Sequence, residues 1–168
     1  MVLPQEVAQQ LAAYYALQPP LDIIALLRLL TIQVRVLPLI PGPTGMAADV
    51  IGVLARVPDW VMVVNYHAHI GQALAAAHLL GHYLLHADRV FACASSLADP
   101  DETEACAFAD ELVMPAAQVR ALTVPITCNT ARALGVPLVQ LIRRHGDLKY
   151  EWAHKIQAER ARGEGPTK

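Results

Sequence analysis

The sequence predicts an α+β fold: a mostly helical body, a small antiparallel β-sheet beside it, and a helical C-terminal part. Three observations lead there. Ala- and Leu-rich stretches place apolar residues at helical spacing on both sides of the chain's middle. Between them, "DVIGVLARV" and "DWVMVVN" are rich in Val and Ile and are joined through a tight "PD" turn, which reads as an antiparallel hairpin. A chain of 168 residues, 55% hydrophobic and 17% charged, is long and apolar enough to bury one core.

Taken in order, residues 5 to 17 read as a first helix, with Val7, Leu11, Ala12 and Tyr15 on one face and "QPP" closing it. Asp22 is placed to cap a second helix through "IIALLRLL", ending near Thr31. "QVRVLPL" alternates like a strand until Pro38, and "IPGPTG" is a loop between elements. After the hairpin, the pattern turns helical from about His69 to His86. "LADPDETEACAFADELVMP" carries strong helix-start chemistry. Asp99 caps, Pro100 suits the first helical position, and Asp101 and Glu102 suit the positive end of the dipole. Pro115 stops that helix, and residues 116 to 145 suggest two or three short helices with a turn at "ALGVP".

The totals narrow the function classes. Residues 61 to 87 contain no Asp, Glu, Lys or Arg, so they resemble a membrane span by hydropathy alone. They also hold Asn65, Gln72, two tyrosines and five of the seven histidines, a polar load costly in lipid. A buried strand followed by a buried helix is the expectation, with no membrane. The first ten residues lack the basic and apolar regions of a signal peptide, so a cytoplasmic location is expected. Three cysteines, Cys93, Cys106 and Cys128, have no C-x-x-C spacing and read as small buried thiols rather than a disulfide framework or a cysteine zinc site. The net charge of −2 divides into −7 over residues 1 to 119 and +5 over residues 120 to 168. The basic part suits either an acidic partner or its own acidic half.

The chemistry concentrates in "AHLLGHYLLH", residues 77 to 86. On a helix, His78 and His82 are separated by about 40° of arc and one turn of rise, so both imidazoles face one way and can share one metal ion. Such a pair alone is more often two packed histidines than a site. Its surroundings are more specific. "AHLLGHYLLH" resembles the "AHELGHxLLH" helix of the ImmA/IrrE family of zinc-dependent peptidases. "EACAFADELVMP", from Glu104 to Pro115, is similar to that family's "EANxFAxxLLMP" helix. "TARALGVPLVQLIRRHGDL" resembles its closing segment, and a strand ending in Asn65 before the histidine helix agrees as well. The resemblance spans about residues 5 to 148.

It implies a zincin-like domain over residues 1–115, a helical segment over 116–150 packed on it, and a polar basic tail over 151–168. It implies His78, His82 and Glu104 as ligands of a zinc ion, with manganese or iron as other occupants. From the residues alone, Glu104 is a common first-turn acid, although a histidine pair on one helix does need a third ligand from another. His86, one turn beyond His82, is expected to support the site by hydrogen bonding rather than to ligate. His67 and His69 are loop residues beside it.

Leu79 stands where the family has its catalytic glutamate, the general base that takes a proton from zinc-bound water. A leucine has no acceptor, and the acid–base contribution of roughly 10²–10⁴-fold is missing with it. Asp110 points away from Glu104 on the same helix, and Glu111 lies two turns further along, so neither replaces the base on sequence grounds. Cys106 also departs from the family's Asn or Asp after "EA". The resemblance implies a degenerate, metal-binding regulator whose partner is an Xre-type helix-turn-helix repressor, the proteins that such peptidases cleave in stress responses and mobile-element induction. A working zinc peptidase with another base and a metal-free structural or binding relative stay open. The closing segment carries a weak helix-turn-helix-like pattern with Arg143 and Arg144 as phosphate contacts. Direct nucleic-acid binding is not the expectation.

Overall fold

The computed structural model describes residues 2–39, 50–57, 59–68, 70–86, 91–94, 99–122 and 125–162. The "IPGPTG" loop, Pro58 of the expected turn, His69 and the end of the tail lie outside them. Among the described residues, seven helices and four strands follow in the order α1 (Pro4–Tyr14), α2 (Ile23–Leu29), β1 (Gln33–Leu37), β2 (Val50–Val57), β3 (Asp59–Asn65), α3 (Gln72–Leu85), β4 (Phe91–Ala94), α4 (Pro100–Val113), α5 (Ala116–Arg120), α6 (Cys128–Ala133) and α7 (Leu138–Ala161). The fold is α+β.

Local chemistry accounts for several of these boundaries. The Asp22 carboxylate accepts from the Ala25 amide at 3.0 Å and starts α2. Asp99 accepts from the Asp101 amide at 2.9 Å and starts α4, with Pro100 as its first residue. The Thr127 hydroxyl caps α6, and Gly135, at φ +71°, ends that helix in the left-handed conformation glycine adopts without strain.

The sheet runs β1-β3-β2-β4. β2 and β3 form the expected antiparallel hairpin, with Val57 opposite Asp59 and Gly52 opposite Val64. The sheet is mixed, however, rather than wholly antiparallel. β1 lies parallel to β3, pairing Gln33 with Val61 through Leu37 with Asn65. Once the tight hairpin has put β2 on one side of β3, the other edge is free for β1, and its direction is set by the chain path rather than by its alternation. β4 was not visible in the sequence. It closes the far edge antiparallel to β2, with Cys93 opposite Gly52, and four residues are too few for a period-2 pattern to stand out.

One sheet face carries Gly52, Leu54, Met62, Val64 and Cys93, all buried. Helix α3 packs on it. Val53, Ala55, Val61 and Val63 on the opposite face are only half-buried. The apolar stretch that looked like a membrane span is therefore β3 plus α3, and no helix among the described residues is long and apolar enough to cross a membrane. On its other side α3 packs against α4, and α1 covers α4 in turn. The histidine helix is thus the middle layer.

The short helices α5 and α6 and the turn at Gly135 match the expectation for residues 116 to 145, but the helix after Pro137, α7, is long and runs through the expected tail to Ala161. Gly146 lies within this helix, where a side chain would meet nothing, and an exposed mid-helix glycine costs only about 0.5–1 kcal/mol. Two ion pairs tie α7 to α4: Arg143 to Asp110 and Arg144 to Glu111, both at 2.6 Å.

Candidate metal centre

Residues 74 to 82 of α3 are buried without a break, His78 and His82 among them at 1% and 0% exposure. Two imidazoles withdrawn from water need polar partners, and these find them in one place. Their Nε2 atoms lie 3.1 Å apart, and the rings stand edge to face at 80°. Across from them on α4, Glu102 brings Oε2 to 3.0 Å from His78 Nε2 and Oε1 to 3.4 Å from His82 Nε2.

The carboxylate facing the histidines is therefore Glu102. Glu104, the residue the family resemblance implies as ligand, turns elsewhere, with Oε2 3.2 Å from His86 Nε2. Helical phase explains the difference. The face of α4 against α3 is marked by Ala105, Phe108, Ala109 and Leu112, all buried. Glu102 is three residues before Ala105 and continues that stripe, whereas Glu104 is about 100° round from Ala105. The signal was present in the sequence as the i, i+3, i+4 spacing of the apolar residues behind Glu102.

A fourth group completes the cluster. One donor atom each from His78, His82, Glu102 and Cys93 lies within 4.8 Å of all the others. Cys93 is buried on β4, with its Sγ within 4.8 Å of a Glu102 carboxylate oxygen. Burial first, then the charge of Glu102, pushes the thiol's pKa well above its ordinary value in the absence of a cation. For Glu102 burial favours the neutral acid, but hydrogen bonds to His78 and His82 and their charge prevail and lower it to about 2.

The second ring nitrogens are held too. His78 Nδ1 lies 3.5 Å from the Cys106 Sγ, a thiol pushed up to about 11 mainly by burial. His82 Nδ1 lies 3.3 Å from His86 Nδ1, and His86 continues through Nε2 to Glu104 and, at 3.6 Å, to Asp101. A carboxylate–His86–His82 chain of this kind fixes ring orientation behind a ligand. His67 is exposed beside Tyr66.

This donor set fits a zinc ion. Ligand bonds of about 2.0–2.2 Å in a tetrahedron set nitrogen and oxygen donors about 3.3–3.5 Å apart, close to the separations found. Manganese or iron would also accept two imidazoles and a carboxylate.

Leu79 is fully buried in the core. Its side chain lies over Gly52, where a Cβ would stand 2.7 Å from Leu79 Cδ1 and would also collide with the Val63 carbonyl oxygen. The carboxylates of Asp110 and Glu111 are occupied by Arg143 and Arg144, and Glu111 also accepts from Gln9 at 2.9 Å.

The family model of the IrrE N-terminal-like domain, Peptidase_M78, matches residues 33–145. The chain belongs to this family. No curated protein matches it significantly. The matched IrrE-like region contains all four strands, both helices of the cluster, and the start of α7 with Arg143 and Arg144. Within an IrrE-like domain the cluster is a possible metal site of a metallopeptidase-type protein, and peptidases of the family depend on a metal. Sequence reasoning found its two histidines and missed Glu102 and Cys93. Nothing in the order of residues marked Cys93, because its place depends on the pairing of β4 with β2.

Proposed function

We propose that this IrrE-like chain is a cytoplasmic, zinc-binding regulatory protein with impaired or absent peptidase activity that engages an Xre-type helix-turn-helix repressor. The observation that carries this reading is the convergence of His78, His82 and Glu102 beside a fully buried Leu79. His78 and His82 would hold the ion through Nε2, and Glu102 would supply the carboxylate. His86 and Glu104 orient His82 from behind. With a water in its fourth position, zinc held here would supply Lewis acidity and lower that water's pKa toward about 7. Leu79 can neither accept nor deliver a proton, and Asp110 and Glu111 are held by arginines, so proton transfer at this centre has no evident carrier among the described residues. Arg144 is occupied by Glu111, which favours a protein partner over direct phosphate contact.

The test is a purified-chain assay in two stages. Zinc should bind at about one equivalent and be lost in His78→Ala. An Xre-type repressor should then stay intact with the native chain and associate with it. Repressor cleavage by the native chain would overturn the impaired-enzyme reading. A chain that takes up no metal after zinc addition would remove the metal-site reading as well.

A further inference from the structure

We propose that Cys93 is a fourth protein ligand of the metal, so that the centre is a closed His₂CysGlu site selective for zinc rather than an open catalytic one. This rests on the reading of His78, His82 and Glu102 as a metal site and deepens it.

The first support is position. Cys93 faces Gly52 across the β4–β2 pair, on the sheet face that α3 covers, and is 1% exposed. Its donor atom belongs to the same cluster as the imidazoles and the carboxylate, within 4.8 Å of each. A modest turn of a thiol and a carboxylate closes that distance to the roughly 3.5 Å between sulfur and nitrogen donors on one zinc.

The second support is coordination number. Catalytic zinc keeps three protein ligands and leaves a position for water, whereas structural zinc takes four. Here the fourth donor comes from the protein. Leu79 removes the base that would act on a metal-bound water, and Cys93 takes the water's place.

Charge is the third. Two neutral imidazoles and one carboxylate around a divalent cation leave a net positive charge, which burial penalises. On metal binding the Cys93 S–H proton leaves to solvent and a sulfur–zinc bond forms, so thiolate and carboxylate together neutralise the ion. A neutral centre suits a pocket in which both histidines are 1% exposed or less. A soft thiolate also favours zinc over manganese, which a His₂Glu set alone would not.

The experiment uses the full chain loaded with cobalt(II) in place of zinc. The native chain should show an intense near-ultraviolet sulfur-to-cobalt charge-transfer band and the strong visible bands of a tetrahedral ion. Cys93→Ser should lose the charge-transfer band, and Cys128→Ser should keep it. Zinc affinity of Cys93→Ser, read by chelator competition, should fall by more than the roughly 10–100-fold typical of an outer-shell change. In Cys93→Ala, added azide should perturb the cobalt spectrum, because a position has opened; in the native chain it should not. Cobalt bound without a charge-transfer band, with Cys93→Ala as tight as native, overturns the Cys93 assignment and leaves the metal site standing. A native chain that binds neither cobalt nor zinc overturns both.

Discussion

Gly81 of α3 and Ala105 of α4 meet backbone to backbone: a Cβ on Gly81 would stand 3.1 Å from Ala105 Cα and 3.2 Å from its carbonyl oxygen. This contact sets how close the two helices lie and how α4 is turned about its axis. With Ala105 against Gly81, the residue three before it faces His78 and His82, and that residue is Glu102. The same rotation sends Glu104 to His86. One small residue on each helix thus selects which of two acids meets the histidines.

Widening that contact should disturb both stability and the site. Gly81→Val would push against the Ala105 backbone and against Phe108, whose Cδ1 lies 3.1 Å from the Cβ position. A destabilisation of about 1–3 kcal/mol is expected for such overpacking, together with weaker zinc binding. Urea unfolding and chelator competition measure the two; unchanged zinc affinity would show that the helix spacing does not govern the cluster.

Glu102 and Glu104 should separate cleanly in metal titrations. Glu102→Gln removes the carboxylate beside both imidazoles and should abolish tight zinc binding. Glu104→Gln and His86→Ala disturb only the chain behind His82, so each should weaken zinc by about 10–100-fold. If Glu104→Gln proves the more damaging, the carboxylate implied by the family resemblance is the ligand after all.

Leu79 should behave as a core residue. It is fully buried over Gly52, so Leu79→Ala should cost about 2–5 kcal/mol in urea unfolding, and Leu79→Met, which conserves volume, less than about 1.5 kcal/mol. Neither should lower zinc content, since the side chain holds no metal.

The Arg144–Glu111 pair is buried at both ends, at 8% and 5% exposure, and Arg144 Nε has no hydrogen-bond partner among the described residues. Removing one partner strands the other's charge. Arg144→Met should therefore destabilise by about 3–5 kcal/mol, and the double variant with Glu111→Leu by markedly less. A double variant no better than the single one would show that the pair's geometry, not its buried charge, anchors α7.

Much of this molecule was legible along the chain because the information was local. Asp22 and Asp99 announce helix starts through groups two or three residues away. The Val and Ile runs and the turn signal between them mark β2 and β3, and His78 and His82 are neighbours by helical geometry alone. Residue order by itself therefore determined the α+β class, the hairpin, the histidine pair and the absence of a base at Leu79. The tertiary structure decided what depends on elements far apart in sequence. It set β1 parallel to β3, because strand direction follows the chain path. It chose Glu102 over Glu104, because the choice is a rotation of α4 fixed by Gly81 and Ala105. It brought Cys93 to the histidines, because that meeting needs β4 paired with β2 under α3. A metal site is a convergence of side chains from separate elements, and sequence spacing carries only the part that one element holds.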